Sequence, residues 1–341
     1  MEPQRPNRPP TIRDVAARAG VALSSVSRAL SGHPDVSATM RARVETAARE
    51  LGYEPDLLAQ SLRSGSTRTI GFAMRDISNQ LFANVAKHCE QELRRAGYTM
   101  ILTNSDGDPL TEAANLDVLR RRRIDGLIVS LVSETSERTL TSLRSMDTPI
   151  VLLDRDVEGV EASRVLCDHY SGVTEAMNAL ISAGHRTIAI VTAEDEVRTS
   201  RERVRAYSDA LASAGLPLDD DLNVRSRLDE ESVERTLTPL LARPEPPTAV
   251  LVVGIPATVA ALRAAKAAGR TPAVDIAIIS FDEWPFLEDF TDSIAVISRD
   301  PAVMGREAAR LMLQQLERGR PSTASVPVRF RANGALAPQN A

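Results

Sequence analysis

Cysteine and lysine are almost missing from this chain, and long apolar runs are missing altogether. Cys89 and Cys167 are the only cysteines. Neither belongs to a C-x-x-C or Cys/His spacing, so no structural metal is expected and the reducing cytoplasm is the simplest location. No stretch approaches the ~18 consecutive apolar residues of a membrane span, and "MEPQRPNRPP" lacks the apolar segment of a secretory signal. Lys87 and Lys266 are the only lysines, which nearly excludes the phosphate-loop motif G-x-x-x-x-G-K-[ST]. There is also no G-x-G-x-x-G after a strand, no G-x-S-x-G and no H-E-x-x-H. The four histidines (33, 88, 169 and 185) are scattered, and His88 and Cys89 point apart on one helix. Asp106 and Asp108 lie in "NSDGDP", which reads as a turn ahead of a helix. Arg120 to Arg123 end a helix, where cations favour the dipole. Neither an enzyme nor a cofactor is expected.

What is present fits a globular protein: 341 residues, 43% hydrophobic and 26% charged, enough for two or three domains. The net charge of −5 is unevenly spread. Residues 1–69 hold ten Arg against seven Asp and Glu, a net of +3, which leaves −8 for the remainder. A basic end on an acidic body suggests that one module meets a polyanion.

Residues 1–10 are rich in Pro, Arg and Asn and read as a disordered arm. Thr11-x-x-Asp14 forms a capping-box pattern ahead of Ile12, Val15, Ala16 and Ala19, and Gly20 closes that first helix. Leu23, Val26 and Leu30 give the second helix its apolar stripe. A third runs from Ser37 to Leu51 and stops at Gly52. Three short helices in this space suit a helix-turn-helix. Ala22 stands where a cap is expected, and alanine cannot cap. Ser64 to Thr67 is the clearest linker. Beyond it, apolar strands such as "IGFAM", "GLIVSLV", "PIVLLD", "TIAIVTA", "TAVLVV" and "DIAIISFD" alternate with amphipathic helices over 80–96, 172–183, 200–214, 256–268 and 301–317. That texture predicts parallel sheets covered on both faces, in two doubly wound subdomains. Ligands then bind beyond the carboxyl ends of the strands.

The residues from "TIRDVAARAGVALSSVSRALSGHPDVS" to "SLRSGSTRTIGF" resemble the N-terminal signature of LacI/GalR-type bacterial transcription regulators. "DISNQLF", "RRRIDGLIV", "LLDR", "GHRTIAIV", "DIAIISFDE" and "MGREAARLML" follow in that family's order. The resemblance covers nearly the whole chain. It implies a periplasmic-binding-protein-like α/β core of two doubly wound parallel-sheet subdomains, with an N-terminal all-α helix-turn-helix headpiece and a hinge helix. The expected divisions are an arm over 1–10, the headpiece over 11–54 and hinge and linker over 55–69. The core N-subdomain takes 70–168 plus 297–325, and the C-subdomain takes 169–296 plus 326–341.

The function implied is repression by a cytoplasmic homodimer on palindromic operator DNA, switched by a small-molecule effector of carbohydrate type. Thr11, Leu23, Ser24, Ser25, Ser27 and Arg28 would face DNA. Arg28 suits a guanine edge, the serines suit phosphates, and Leu23 a thymine methyl or shape alone. Leu62, in the hinge Asp56–Arg63, would wedge into a minor-groove step. An eight-residue helix is too short to be stable alone, so it would order only against DNA and its dimer mate. Effector positions would be Asn79, Phe82, Asp154, Arg155, Arg203, Asp282 and Arg299, while Asp76 reads as structural. Other readings are a transporter's solute-binding protein and a regulator whose core no longer binds a ligand.

The sequence departs from the family at four places. Gly254-Ile255 stands where Asn-Asp is usual, Arg299 where Gln is common, Arg75 for a proline, and Gln80-Leu81 for Pro-Phe. A cleft that gains arginine and loses asparagine is expected to favour an anionic or phosphorylated ligand, because guanidinium pairs bidentately with such groups.

Overall fold

The computed structural model describes residues 10–30, 33, 35–54, 65–194, 196–282, 293–332 and 336. Two compact units divide the chain at Thr67 and Arg68. The hinge positions, Leu62 included, and most of the N-terminal arm lie outside the described residues.

The first unit holds helices α1 (Ile12–Ala19), α2 (Leu23–Leu30) and α3 (Ala38–Leu51). Asp14 Oδ2 accepts from the Thr11 amide and hydroxyl, both at 2.7 Å, which fixes the start of α1. Gly20 then turns the chain at φ 61°, a left-handed conformation that glycine adopts without strain. Ser37 Oγ accepts from the Met40 amide at 3.3 Å and starts α3. One fully buried valine from each helix (Val15, Val26 and Val44) makes the centre of this core. Ala19, Ala29, Ala47 and Ala48 fill the space between them. Leu30 packs against this core beside Val26 while staying partly covered, and Ala29 is the second buried residue of α2. A helix this short turns the face next to Val26 most directly onto its neighbours.

The second unit alternates strand and helix. Strands β1 (Thr69–Met74), β2 (Thr99–Asn104), β3 (Gly126–Val129), β4 (Ile150–Leu153) and β5 (Ser163–Cys167) build one sheet with β11 (Thr323–Val326). Strands β6 (Ile188–Thr192), β7 (Asn223–Arg225), β8 (Ala249–Val253), β9 (Ala277–Phe281) and β10 (Ile294–Arg299) build the other with β12 (Val328–Arg331). The spatial orders are β11-β5-β4-β3-β1-β2 and β12-β10-β9-β8-β6-β7. Both are therefore the same doubly wound pattern, parallel throughout except for the antiparallel edge β12. The strand interiors are buried on both faces, which is why they read as continuous apolar runs rather than alternating ones.

The core helices are α4 (Gln80–Arg95), α5 (Pro109–Arg121), α6 (Glu137–Arg144), α7 (His169–Ser182), α8 (Arg198–Ser213), α9 (Glu230–Leu241), α10 (Ile255–Ala267) and α11 (Pro301–Arg318). The chain passes between the sheets at Asp168, Asp300 and Pro327. The change of subdomain expected at 297 falls inside β10, which stays in the second sheet as far as Arg299. A strand hydrogen-bonded along its length to β9 and β12 cannot be shared between sheets. Helix α7 starts three residues before the apolar pattern does, because Asp168 accepts the Ser171 amide at 3.1 Å and caps it. Close helix packing fixes the layers. A Cβ on Gly305 of α11 would lie 2.5 Å from the Val85 carbonyl oxygen on α4, and one on Gly172 of α7 would lie 2.5 Å from Val328. Among the described residues no helix is long and apolar enough to cross a membrane.

Candidate DNA interface and effector cleft

In the first unit the sequence-assigned face of α2 points outward. Leu23 is 44% exposed while Val26 is fully buried, so Leu23 is not a core residue. Ser24 and Arg28 are exposed, Ser25 and Ser27 half-buried, and Thr11 is half-buried at the start of α1. The Ala22 carbonyl accepts from the Ser25 and Val26 amides at 2.9 and 3.1 Å, which places Ala22 at the cap. Among the described residues neither the Ser24 nor the Ser25 hydroxyl takes over its role. The start of α2 thus keeps backbone donors available to an outside acceptor such as a phosphate oxygen.

In the second unit the strand ends converge. Asp154 follows β4 and Asp282 follows β9, equivalent places in the two sheets. Each donates its amide to the neighbouring strand, Asp154 to Val165 at 2.7 Å and Asp282 to Ile297 at 2.9 Å. Both adopt left-handed backbone, at φ 55° and 72°. Aspartate tolerates this region better than most residues, and such strain gathers at functional positions.

Arg299, at the end of β10, lies between the two carboxylates. Its Nη1 donates to Asp154 Oδ2 at 2.5 Å, and its Nε lies 3.3 Å from Asp282 Oδ1. His169 Nε2 is 2.7 Å from the same Asp154 oxygen, and the Cys167 amide donates to Asp154 Oδ1 at 3.1 Å. Burial alone would raise the Asp154 pKa, but His169 and Arg299 outweigh it and hold the carboxyl well below its ordinary range. Burial likewise would lower the Arg299 pKa, and the Asp282 and Asp154 carboxylates reverse that shift. For His169 burial prevails and pushes the pKa down to about 3, so the ring is neutral at pH 7. Asp154, Cys167 and His169 form a donor set of the kind that binds metals, their atoms within 4.8 Å of one another. The Arg299 guanidinium already supplies the cation there, 2.9 Å from His169 Nε2, so the geometry fits an internal ion pair rather than a metal.

The other expected positions divide. Arg203, on α8, is 4% exposed with its guanidinium 4.6 Å over the Phe281 ring. Arg155 is buried but turns into its own subdomain, donating to the Leu131 and Asp154 carbonyls at 2.6 and 2.8 Å. Asn79 caps α4 by accepting the Leu81 amide at 3.0 Å, and Phe82 is buried in the core. Asp76 accepts from Ser78 in a local turn. Gly254 offers only backbone at φ 89°, so the place of the family's usual Asn carries no side-chain donor.

Sequence reasoning missed three members of the site. His169 reads in the sequence as one of four scattered histidines, although it directly follows a strand end and a capping Asp. Arg198 pairs with Asp154 at 3.6 Å. Glu134 reaches across from the first subdomain to α8, whose own cap residue is Val197 and has no side-chain acceptor. It accepts from the Arg198 amide and from Arg201, both at 2.8 Å, so one subdomain caps a helix of the other. No local pattern announces a cap supplied from 64 residues away.

A buried acid nearby gives a pH prediction. Glu112 on α5 accepts the Val132 amide at 2.9 Å, its second oxygen has no partner among the described residues, and burial pushes its pKa from 4.5 up to about 7. The folded state therefore holds a proton that the unfolded chain has released. The stabilisation is complete below pH 4.5 and is lost as pH rises to about 7, on the order of 3 kcal/mol in total. Glu112→Gln should remove this slope and unfold at higher urea than the parent at pH 8, with little difference at pH 4.5. Urea midpoints measured across that range decide it: a variant as pH-sensitive as the parent rules the assignment out.

Comparison with known proteins gives concordant results. Residues 11–56 match the family described as bacterial regulatory proteins, lacI family. Residues 67–333 match the periplasmic binding proteins and sugar binding domain of the LacI family. The HTH-type transcriptional regulator DegA of Bacillus subtilis is 29% identical over 302 residues, covering 88% of this chain and 89% of DegA. Among solved structures, the transcriptional regulator CelR–cellobiose complex is 26% identical with a TM-score of 0.71, covering 94% of this chain and 98% of that one. The Lac repressor bound to ONPG in its repressed state shares the fold at a TM-score of 0.82 and 21% identity, covering 96% of this chain and 100% of that one.

Proposed function

This chain belongs to the LacI family of bacterial transcription regulators, and from that premise we propose that it works as a homodimeric repressor on a palindromic operator. A small molecule held between the two core subdomains controls it, and it acts in the cytoplasm. The observation that carries the DNA reading is the division of α2: Val26 and Ala29 are buried while Leu23, Ser24 and Arg28 face out. A recognition helix needs this arrangement, one side fixed to its scaffold and the other bare for the major groove. In this reading Arg28 reads a guanine edge and Thr11, Ser24, Ser25 and Ser27 position the helix on phosphates. The uncapped start of α2 adds backbone amides to that phosphate contact. Leu62 enters the minor groove at the centre of the palindrome, a role that rests on the family resemblance alone.

A carbohydrate-type effector is supported by the sugar-binding description of the core's family and by the cellobiose bound to the related CelR. In this reading Asp154 and Asp282 at the strand ends and Arg203 on α8 contact the effector, and Asn79, Phe82, Arg155 and Arg299 are further contact positions that rest on the family resemblance. A second reading, a core that has given up ligand binding, is favoured by one observation: Arg299 already satisfies both carboxylates.

Selection of bound duplexes from a random pool, with and without candidate sugars, tests the proposal. Enrichment of one palindrome is expected, with a change in the bound fraction when an effector is present. A pool that yields no enriched palindrome would overturn the DNA reading.

A further inference from the structure

Arg203 differs from the other buried or half-buried arginines of the cleft. Arg299 pairs with Asp154 and Asp282, Arg198 with Glu202 at 2.8 Å, and Arg155 with two carbonyls. The Arg203 guanidinium makes no hydrogen bond or ion pair to any described residue, and its Nε is fully enclosed without an acceptor. Among the described residues its guanidinium stacks on the face of Phe281. The carboxylates whose charge reaches it, Asp282 and Asp154, are engaged by Arg299. Burial, with Arg299 nearby, pushes the Arg203 pKa down to about 10, the sign of a cation short of compensation. Ser200 lies three residues earlier on the same face of α8, and its hydroxyl is also buried without a partner. A buried guanidinium with no direct acceptor is costly to retain, and a ligand that supplies the acceptor relieves that cost.

We propose that the cleft takes a small molecule bearing an acidic group, carboxylate or phosphate, held by the Arg203 guanidinium with the Ser200 hydroxyl beside it. Arg299 is then not a ligand contact. It is an internal counter-ion shared by Asp154 and Asp282, which offsets part of their charge and so weakens their repulsion of the incoming acid. The anionic preference expected from the sequence thus moves from Arg299 to Arg203. This inference rests on the cleft being the effector site.

Two measurements on the full chain test it. Without ligand, Arg203→Gln removes a buried guanidinium that has no direct acceptor and should raise the thermal midpoint by several degrees. A lower midpoint would show that Arg203 is already satisfied and would overturn the proposal. Calorimetric titration then compares D-glucuronate, D-ribose 5-phosphate and inorganic phosphate with D-glucose and D-ribose. At least one acid should bind about ten- to a hundredfold more tightly than its neutral parent. The preference should vanish in Arg203→Gln and persist in part in Arg203→Lys. The glucuronate and phosphate arms separate the two kinds of acid. Neutral sugars binding as tightly as the acids, or alone, would overturn the acidic class and leave the effector reading standing. Silence from all five compounds would overturn both.

Discussion

Arg299→Met should destabilise the core by about 3–5 kcal/mol at pH 7, because it leaves two buried carboxylates without their shared cation. For a unit of this size the thermal midpoint should fall by on the order of 10 °C. The pH dependence identifies the cause. In the parent, the depressed Asp154 pKa contributes stability that is fully present above the ordinary carboxylate value of 3.8 and is lost only as pH falls far below it. In the variant burial acts on Asp154 without the opposing cation and raises its pKa. The variant then regains stability by taking up a proton, so the gap to the parent should be widest at neutral pH and narrow as pH falls toward 4. Chemical unfolding at both pH values measures this. Neutralising all three positions together, Arg299→Met with Asp154→Asn and Asp282→Asn, should cost far less than the single change, since the penalty lies in the unpaired charges and not in lost packing. A single variant as stable as the parent at pH 7 would remove the ion-pair account. So would a triple variant no better than the single one.

Arg28→Ala should weaken binding to a selected operator by about 1–3 kcal/mol per half-site, the usual worth of a bidentate guanine contact. On a palindrome read by two chains the loss doubles, to roughly 10²- to 10⁴-fold in affinity. Binding to unrelated DNA should change little, and discrimination at one base position in each half-site should relax. Fluorescence anisotropy on matched and scrambled duplexes at several salt concentrations separates the alternatives. Equal losses on both duplexes, with a shallower salt dependence, would assign Arg28 to a phosphate instead of a base.

The two parts of the protein differ in how much their sequence reveals. In the headpiece almost everything is local. Thr11 and Asp14 fix one helix start, Gly20 and Gly52 fix two helix ends, and the spacing of Val15, Val26 and Val44 marks the core. These signals work over three or four residues, the range of helix geometry itself. The missing cap at Ala22 was equally legible, and the structure adds that neither Ser24 nor Ser25 replaces it. In the core, the apolar strands and the helices between them were readable for the same reason. Asp154 and Asp282 could be identified as site residues because they end strands in a doubly wound sheet.

Partnership could not be read in this way. Arg299 and Asp154 are 145 residues apart and in different subdomains, and only the crossings at Asp168, Asp300 and Pro327 bring them within 2.5 Å. Arg299 therefore reads as a gained ligand contact in the sequence and as a counter-ion in the structure. Arg203 looks like one more arginine in "RERVRAY", and only its burial without a hydrogen bond or ion pair to any described residue sets it apart. Glu134 carries no motif, yet it caps a helix on the other side of the cleft. The elements, the family and the strand-end positions are legible along the chain, because propensity, capping and periodicity act between near neighbours. Which charges pair directly, and which guanidinium has no acceptor among the described residues, depends on distance and burial, and neither follows from order along the chain.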